Sequence, residues 1–297
     1  MSNPQPDISI IIPTHNRASL LAKTLQYYNN QSHPLSGFEI IVIDDGSTDN
    51  TKDIVEQMRH KAKYQLSYFR QKKSGPAAAR NKGILCAKAE VIFFTGDDIF
   101  PEKDLIRNHL KTHQEFPDAA VLGLVEWSQE SEISDFMRSL APDGLQFRYG
   151  TITDPKNSGF RHFYTSNISL AKFWLKNNFF DQDFPFGAME DAELGYRLEK
   201  QGLKIIYNNK AVGYHYHPTD LIAFRNRMRL TGISSAIMLQ KHPELKSILL
   251  PVPIRLAGII AWGLKRLSFT QKINKRFYWR SQLIANYIEG ILKGLSR

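Results

Sequence analysis

Short apolar runs alternate with stretches of helical periodicity over the first 125 residues. Ile8-Ser-Ile-Ile-Ile12 ends at Pro13 and predicts a strand buried on both faces. Residues 17–30 place Leu20, Leu21, Leu25 and Tyr28 at helical spacing. Phe38-Glu-Ile-Ile-Val-Ile43 predicts a second strand, closed by the turn signal Asp44-Asp45-Gly46-Ser47. Next come a helix over 49–60 that Thr48 or Asp49 can cap, a third strand from Tyr64 to Phe69, and a helix from Ala77 to Ala87. A fourth strand from Val91 to Phe94, a helix over 102–115 opened by Pro101 and Glu102, and a fifth strand from Ala119 to Val125 complete the series.

Strands linked by helices predict an α/β fold, a mostly parallel sheet flanked by helices on both faces. Ligands of such sheets sit beyond the carboxyl ends of the strands. Polar clusters fall there: Thr14-His15-Asn16-Arg17 after the first strand, Asp44-Asp45 after the second, and Asp97-Asp98 just past the fourth. Residues 126–160 are polar and hold Gly and Pro, which predicts a loop-rich excursion with a short helix near Glu132 to Leu140. Beyond it are a strand from Thr165 to Leu170, a helix from Asp191 to Gln201 closed by Gly202, a strand from Lys204 to Tyr207, and a strand-like segment from Ala211 to His217.

Composition and charge add to this picture. A hydrophobic content of 42% and a charged content of 23% are ordinary for a globular chain. The single cysteine, Cys86, excludes an intramolecular disulfide framework and fits a reducing compartment. Residues Met1 to Asp7 lack the basic and apolar regions of a secretory leader, so a cytoplasmic catalytic part is expected. The net charge of +10 is uneven. Residues 218–297 hold 14 Lys/Arg and 3 Asp/Glu, whereas residues 1–217 hold 25 and 26.

Each polar cluster admits two readings. Adjacent carboxylates such as Asp97 and Asp98 repel each other unless a cation neutralises them, and hard divalent cations prefer oxygen ligands. The alternative is a turn whose Asp caps the next helix. Asp44 and Asp45 suit either an Asx-turn with Gly46 at positive φ, or acceptance of a hydrogen bond from a nucleotide base or ribose. Glu190 and Asp191 either complement a helix dipole or supply a general base. His215 and His217 lie two apart on one face of a strand-like segment, and are either structural or the completion of a metal shell.

Taken in order, the motifs resemble family 2 glycosyltransferases of the GT-A fold over about residues 7–217. They are Ile10-Ile-Ile-Pro-Thr-His-Asn-Arg17, Ile41-Val-Ile-Asp-Asp-Gly-Ser-Thr48, Gly75-Pro-Ala-Ala-Ala-Arg-Asn-Lys-Gly83, Phe94-Thr-Gly-Asp-Asp98, Thr165-Ser-Asn-Ile-Ser-Leu170 and Gly187-Ala-Met-Glu-Asp-Ala-Glu-Leu-Gly195. The resemblance implies nucleotide-sugar binding by Pro13, Thr14, Asn16, Arg17, Asp44, Asp45, Arg80, Asn81 and Asp97. It implies Mn²⁺ or Mg²⁺ at Asp97 and Asp98, with His215 or His217 as a further ligand. Asp191 becomes the catalytic base, beside Glu190 as the residue that orients the acceptor. The implied reaction transfers a sugar, with inversion, from a nucleoside-diphosphate sugar such as a UDP-sugar to a glycan or lipid-linked hydroxyl acceptor in cell-surface polysaccharide or lipid-linked glycan synthesis. Many members carry Asp-x-Asp at the metal motif. Thr95 stands at the place of the further Asp here, which leaves open which carboxylate meets the metal.

Residues 218–297 are expected to form a helical, basic extension to a catalytic domain of residues 1–217. The apolar run 248–264 is broken by Pro251 and Pro253 and carries Arg255, so it is too short to span a bilayer, which takes roughly 20 residues. Basic residues follow, and then Ile284, Tyr287, Ile288, Ile291, Leu292 and Leu295 make one helical stripe. Such a stripe suits peripheral contact with the anionic inner face of a cell membrane. It suits equally a subdomain packed on the catalytic domain or, in a homodimer, on a second subunit. No nucleic-acid-binding motif is present. Two rival functions remain: a sugar nucleotidyltransferase, which commonly needs a glycine-rich loop where Pro13–Arg17 stands, and an inactive homologue that only binds. The first turn also lacks the G-x-G-x-x-G of a dehydrogenase.

Overall fold

The apolar runs form strands and the periodic stretches form helices, in the order β1 (Ile8–Thr14), α1 (Ala18–Tyr28), β2 (Phe38–Asp44), α2 (Thr51–Lys61), β3 (Gln65–Arg70), α3 (Pro76–Cys86), β4 (Val91–Thr95), β5 (Ile99–Pro101), α4 (Leu105–Glu115) and β6 (Ala120–Trp127). After them come α5 (Asp135–Leu140), β7 (Asn167–Ala171), α6 (Glu190–Lys200) and β8 (Ile205–His215), and then the helices α7 (Leu221–Lys241), α8 (Lys246–Leu249), α9 (Ile254–Lys265) and α10 (Lys275–Leu295). This computed structural model describes residues 5–250, 253–267, 271–272 and 274–296. Met1 to Pro4, Pro251 and the Arg255 side chain lie outside the described residues.

One eight-stranded sheet runs β3-β2-β1-β4-β7-β6-β8-β5. Strands β3, β2, β1 and β4 are mutually parallel, and β6 is parallel to β8. Strand β7 enters antiparallel between β4 and β6, and β5 is antiparallel to β8. The sheet is therefore mixed, with its parallel half at the chain's beginning. Every residue of β2 is buried, as expected for a strand with helices on both faces. On one face Ile8, Ile10, Ile12, Ile40 and Val42 meet Leu21, Leu25, Tyr28, Val55 and Met58.

Two local expectations change and a third narrows to one of its alternatives. Strand β5 went unforeseen, because three residues carry no periodicity. It occupies the sheet edge, where Pro101 costs no ladder hydrogen bond, so α4 begins at Leu105 rather than at Pro101. The segments around Lys204–Tyr207 and Ala211–His217 are one strand. The register of β8 against β6 jumps from Asn208 to Val212, and this bulge hides the continuity. The cap of α2 is Asp49 by function, since its Oδ1 accepts from Thr51 N at 3.1 Å. Its Oδ2 accepts from Ala18 N, at 3.1 Å, at the start of α1.

The chain divides into two compact units. The first comprises residues 1–132, 141–181 and 191–217 and contains the sheet. The second comprises residues 133–140, 182–190 and 218–297. Within the second unit α7 and α10 cross closely. A Cβ on Gly232 would stand 2.1 Å from Tyr287 O, and one on Gly290 would stand 2.1 Å from Arg229 O. The α10 stripe is turned into this unit: Ile288 and Ile291 are buried, and Ile284, Tyr287, Leu292 and Leu295 are half-buried. Tyr287 Oη donates to Leu249 O at 3.0 Å. None of the helices among the described residues is long and apolar enough to cross a membrane.

Candidate active site

The site lies in the sheet unit, at the carboxyl ends of β1, β2 and β4. Beyond β4 the chain turns at Gly96, where a Cβ would stand 2.6 Å from Asp98 Oδ1. Glycine thus leaves room for the Asp98 carboxylate to fold back. The β5–β8 ladder then sets Ile99 opposite His215, and Tyr216 N donates to Asp98 O at 2.8 Å. This pairing brings two histidines remote in sequence to the acidic pair. His215 Nε2 is 3.4 Å and His217 Nδ1 is 3.6 Å from Asp98 Oδ2.

The pair is held from its other side by the turn after β1. Arg17 Nη1 donates to Asp97 Oδ1 at 3.0 Å and to Asp98 Oδ2 at 2.8 Å. Thr14 Oγ1 donates to Asp97 Oδ2 at 2.7 Å. Neither Asp caps a helix. Burial, and then the charge of Asp98, push the Asp97 carboxyl up to about 6, against the pull of Arg17. Burial acts on Asp98 in the same sense. His215, His217 and Arg17 outweigh it and hold Asp98 well below the usual carboxylate range. The two neighbours thus feel opposite net shifts, because the imidazoles face Asp98.

Asp98, His215 and His217 offer one oxygen and two nitrogens within 4.8 Å of one another. One carboxylate with two imidazoles is a donor set that suits a divalent transition ion. Two residues that no motif pointed to fix His215. Trp127 stacks on its ring with centroids 5.4 Å apart and planes 9° from parallel, and Gln146 Nε2 lies 3.3 Å from its Nδ1. Outer contacts of this kind orient a metal-binding imidazole.

The turn after β2 serves a different end. Asp44 Oδ1 accepts from Ser47 N at 2.7 Å and Oδ2 from Tyr68 Oη at 2.5 Å. Gly46 has φ +77°, so the Asx-turn reading describes this loop. Asp45 accepts from Gln71 Nε2 at 2.9 Å, and from Ser74 N and Gly75 N at 2.8 Å each. It therefore anchors the segment that enters α3. Asn16, at φ +53°, takes Thr48 N on its Oδ1 at 2.7 Å and ties the first turn to the second. Beside these turns is an open groove of about 520 Å³ lined by Gly46, Arg70, Gln71, Lys72 and Lys73. Its cations lie in the sequence as ordinary surface charge, with no spacing to single them out.

Pro13 is half-buried at the end of β1. Asn81 faces backbone with both ends of its amide. Its Nδ2 donates to Phe180 O and its Oδ1 accepts from Phe180 N, both at 2.8 Å, which clamps the Phe180 backbone. Arg80 lies over the Phe180 ring at 5.4 Å. Asp191 is in the first turn of α6 and accepts from Ala192 N at 2.8 Å. Burial raises its carboxyl above the ordinary value, while the Arg80 cation opposes the rise. Glu190, the first residue of α6, is buried.

A family model described as "Glycosyl transferase family 2" matches residues 9–182. A hyaluronan synthase of Pasteurella multocida is 30% identical over 275 residues, 82% of this chain and 28% of that protein. A validoxylamine A glucosyltransferase of Streptomyces hygroscopicus subsp. jinggangensis is 30% identical over 271 residues, 81% of this chain and 62% of that protein. The chain thus spans less than two thirds of either relative. Among solved structures, a mannosyltransferase from Pyrobaculum calidifontis in complex with GDP-Man and Mn²⁺ superposes with a TM-score of 0.70 at 17% identity, covering 98% of this chain and 88% of that one. S. aureus TarS in complex with UDP-GlcNAc gives 0.56 at 18% identity, covering 96% and 90%.

Proposed function

Since the chain belongs to the family 2 glycosyltransferases and has their GT-A fold, we propose that it moves a sugar from a UDP-sugar to a hydroxyl acceptor, with inversion at the anomeric carbon. The observation that carries this reading is the convergence of Arg17, His215 and His217 on the Asp97–Asp98 pair at the carboxyl edge of the sheet. In this reading Asp98, His215 and His217 hold Mn²⁺ or Mg²⁺. Two imidazole donors favour Mn²⁺, because Mg²⁺ prefers an all-oxygen shell. The ion, when bound, offsets the charge that builds on the diphosphate leaving group.

The chain's own groups divide the remaining work. Pro13, Thr14, Asn16 and the loop ordered by Asp44 and Asp45 receive the nucleoside. Arg17 presents a cation to the diphosphate, and Asp97 faces the ribose. Asp191, with its raised carboxyl, takes the proton from the acceptor hydroxyl as the new glycosidic bond forms. Glu190 orients the acceptor. Residues 1–217 carry this chemistry and residues 218–297 form a separate basic region that meets the cytoplasmic face of an anionic membrane. That location suits a lipid-linked or cell-surface glycan acceptor. The hyaluronan synthase similarity supports the same class.

A thermal-shift screen of nucleoside diphosphates and their sugars, with and without Mn²⁺, tests the donor assignment. Stabilisation by UDP and a UDP-sugar that requires Mn²⁺ is the expected result. Equal stabilisation by every nucleoside diphosphate, independent of metal, would refute it.

A further inference from the structure

Helix α9 has its side chains placed against the usual rule. Ala257 and Ala261 point inward and are buried, at 0% and 2% exposure, whereas Leu256, Ile259 and Trp262 point outward at 49%, 67% and 57%. The outward residues recur every three positions and share one side of the helix. A helix that faces only water places its large apolar residues inward and its polar ones outward. The outward face of α9 holds the larger apolar groups, so it is built for a second apolar phase.

The charge around it says which phase. Between Glu244 and Glu289 the sequence has no acidic residue and eight Lys/Arg. Arg266, Lys272, Lys275, Arg276 and Arg280 are exposed. The guanidinium of Arg266 lies 3.8 Å from the centre of the Trp262 ring, which places a cation at the margin of the apolar face. Phe277, in the first turn of α10, is half exposed at 51% and neighbours Lys275 and Arg276. Large apolar residues rimmed by cations complement an anionic lipid surface, with rings and alkyl groups below the headgroups and cations among the phosphates. At about 1.5 Å per residue, the 12 residues of α9 reach roughly 18 Å, too short to cross a hydrocarbon core of about 30 Å. On a bilayer, a helix of this length would lie in the plane of the surface.

We propose that the Leu256–Ile259–Trp262 face of α9, with the cations from Arg266 to Arg280, is the surface by which the second unit docks on an anionic bilayer. This inference rests on the membrane reading of the C-terminal region and relocates it, because the α10 stripe is turned into the helical unit and α9 carries the exposed apolar groups.

The test uses the full chain with phosphatidylcholine–phosphatidylglycerol vesicles and with pure phosphatidylcholine vesicles, by co-sedimentation at low and high salt. The wild type is expected to bind the anionic vesicles, more weakly at high salt. Ile259→Ser/Trp262→Ser should lose roughly tenfold or more in vesicle affinity and nearly all salt-resistant binding. Lys275→Glu/Arg276→Glu should lose mainly the salt-sensitive part. Both pairs are exposed, and an unchanged melting temperature checks that the variants are folded. In a second measurement, brominated acyl chains should quench wild-type tryptophan fluorescence, and Trp262→Phe should remove most of that quenching. If the wild type binds anionic vesicles and Ile259→Ser/Trp262→Ser binds equally well, the α9 assignment fails while the membrane reading stands. If the wild type binds no vesicles, both fail. A wild-type dimer dissolved by Ile259→Ser/Trp262→Ser, without vesicle binding, would instead assign this face to a second copy of the chain.

Discussion

Arg17 Nη1 lies 2.8 Å from Asp98 Oδ2, the carboxylate oxygen that both His215 and His217 approach. One oxygen at the sheet edge thus gathers the positive end of the first turn and the end of the last strand. The same guanidinium nitrogen also serves Asp97, so a single cation separates two carboxylates that would otherwise repel each other.

Arg17→Gln should therefore destabilise the fold by about 1–3 kcal/mol, because a charge-assisted bridge is lost and two buried carboxylates are left facing each other. Added Mn²⁺ should restore more melting temperature to this variant than it gives the wild type. Equal metal shifts in the two proteins would show that Arg17 does not neutralise the pair.

Asp98→Asn keeps the shape of the side chain and removes its charge. The expected result is loss of most Mn²⁺-dependent binding of UDP by calorimetry, with the fold intact. Asp97→Asn should weaken that binding less, because Asp98 is the carboxylate that faces both imidazoles. Undiminished Mn²⁺-dependent affinity in both variants would place the metal elsewhere.

Asp191→Asn should lower the transfer rate by roughly 10²–10⁴ and leave donor affinity within a few-fold of the wild type. The base works only when deprotonated, and burial raises its carboxyl above the ordinary value. The acid limb of the wild-type kcat/KM profile should therefore lie above the pH at which an exposed aspartate titrates, with activity rising as the pH increases through it. Near-normal turnover by Asp191→Asn would move the assignment to another carboxylate.

His109 provides a pH test of stability. Its Nδ1 lies 2.8 Å from Ser169 Oγ and its Nε2 2.8 Å from Asn167 Oδ1, and burial lowers its pKa from 6.5 to about 3. The unfolded chain binds this proton more readily than the folded one. The stabilisation is therefore complete above about pH 6.5 and is lost as the pH falls towards 3. His109→Gln, which cannot take up the proton, should lose less stability between pH 7 and pH 4 in denaturant melts than the wild type does. An identical acid dependence would show that His109 is not the group that titrates.

Gly290→Ala should destabilise the chain by about 1–3 kcal/mol, since the new Cβ would meet the Arg229 carbonyl oxygen at 2.1 Å and the helices would have to separate. Gly263→Ala is the control: nothing lies within 4 Å of a Cβ there, so the same change should leave the melting temperature unchanged or slightly raised.

Much of the molecule was determined by the sequence alone, because the physics concerned is local. The run Ile8–Ile12 and the mostly apolar stretch before Asp44 specify strands buried on both faces by composition, and Gly46 specifies a turn by its lack of a Cβ. The carboxyl-end rule then places Arg17, Asp44 and Asp98 on one edge before any coordinates are known. The ordered motifs were enough to point to the family.

Tertiary structure decided what depends on pairing across distance. The insertion of β7 between β4 and β6 and the bulge in β8 are not periodic signals, yet they fix which strand ends are neighbours. The proximity of His215 and His217 to Asp98 follows from the three-residue ladder of β5, too short to leave a pattern. Asn81 illustrates the same limit: only the tertiary fold reveals that its amide clamps the backbone of Phe180, 99 residues away. In the tail, an apolar stripe is visible in the sequence of α10, but a stripe does not reveal what covers it. Packing on α7 turns that stripe inward, because Gly232 and Gly290 let the two helices approach closely, while α9 buries its small Ala257 and Ala261 and leaves its larger residues facing out.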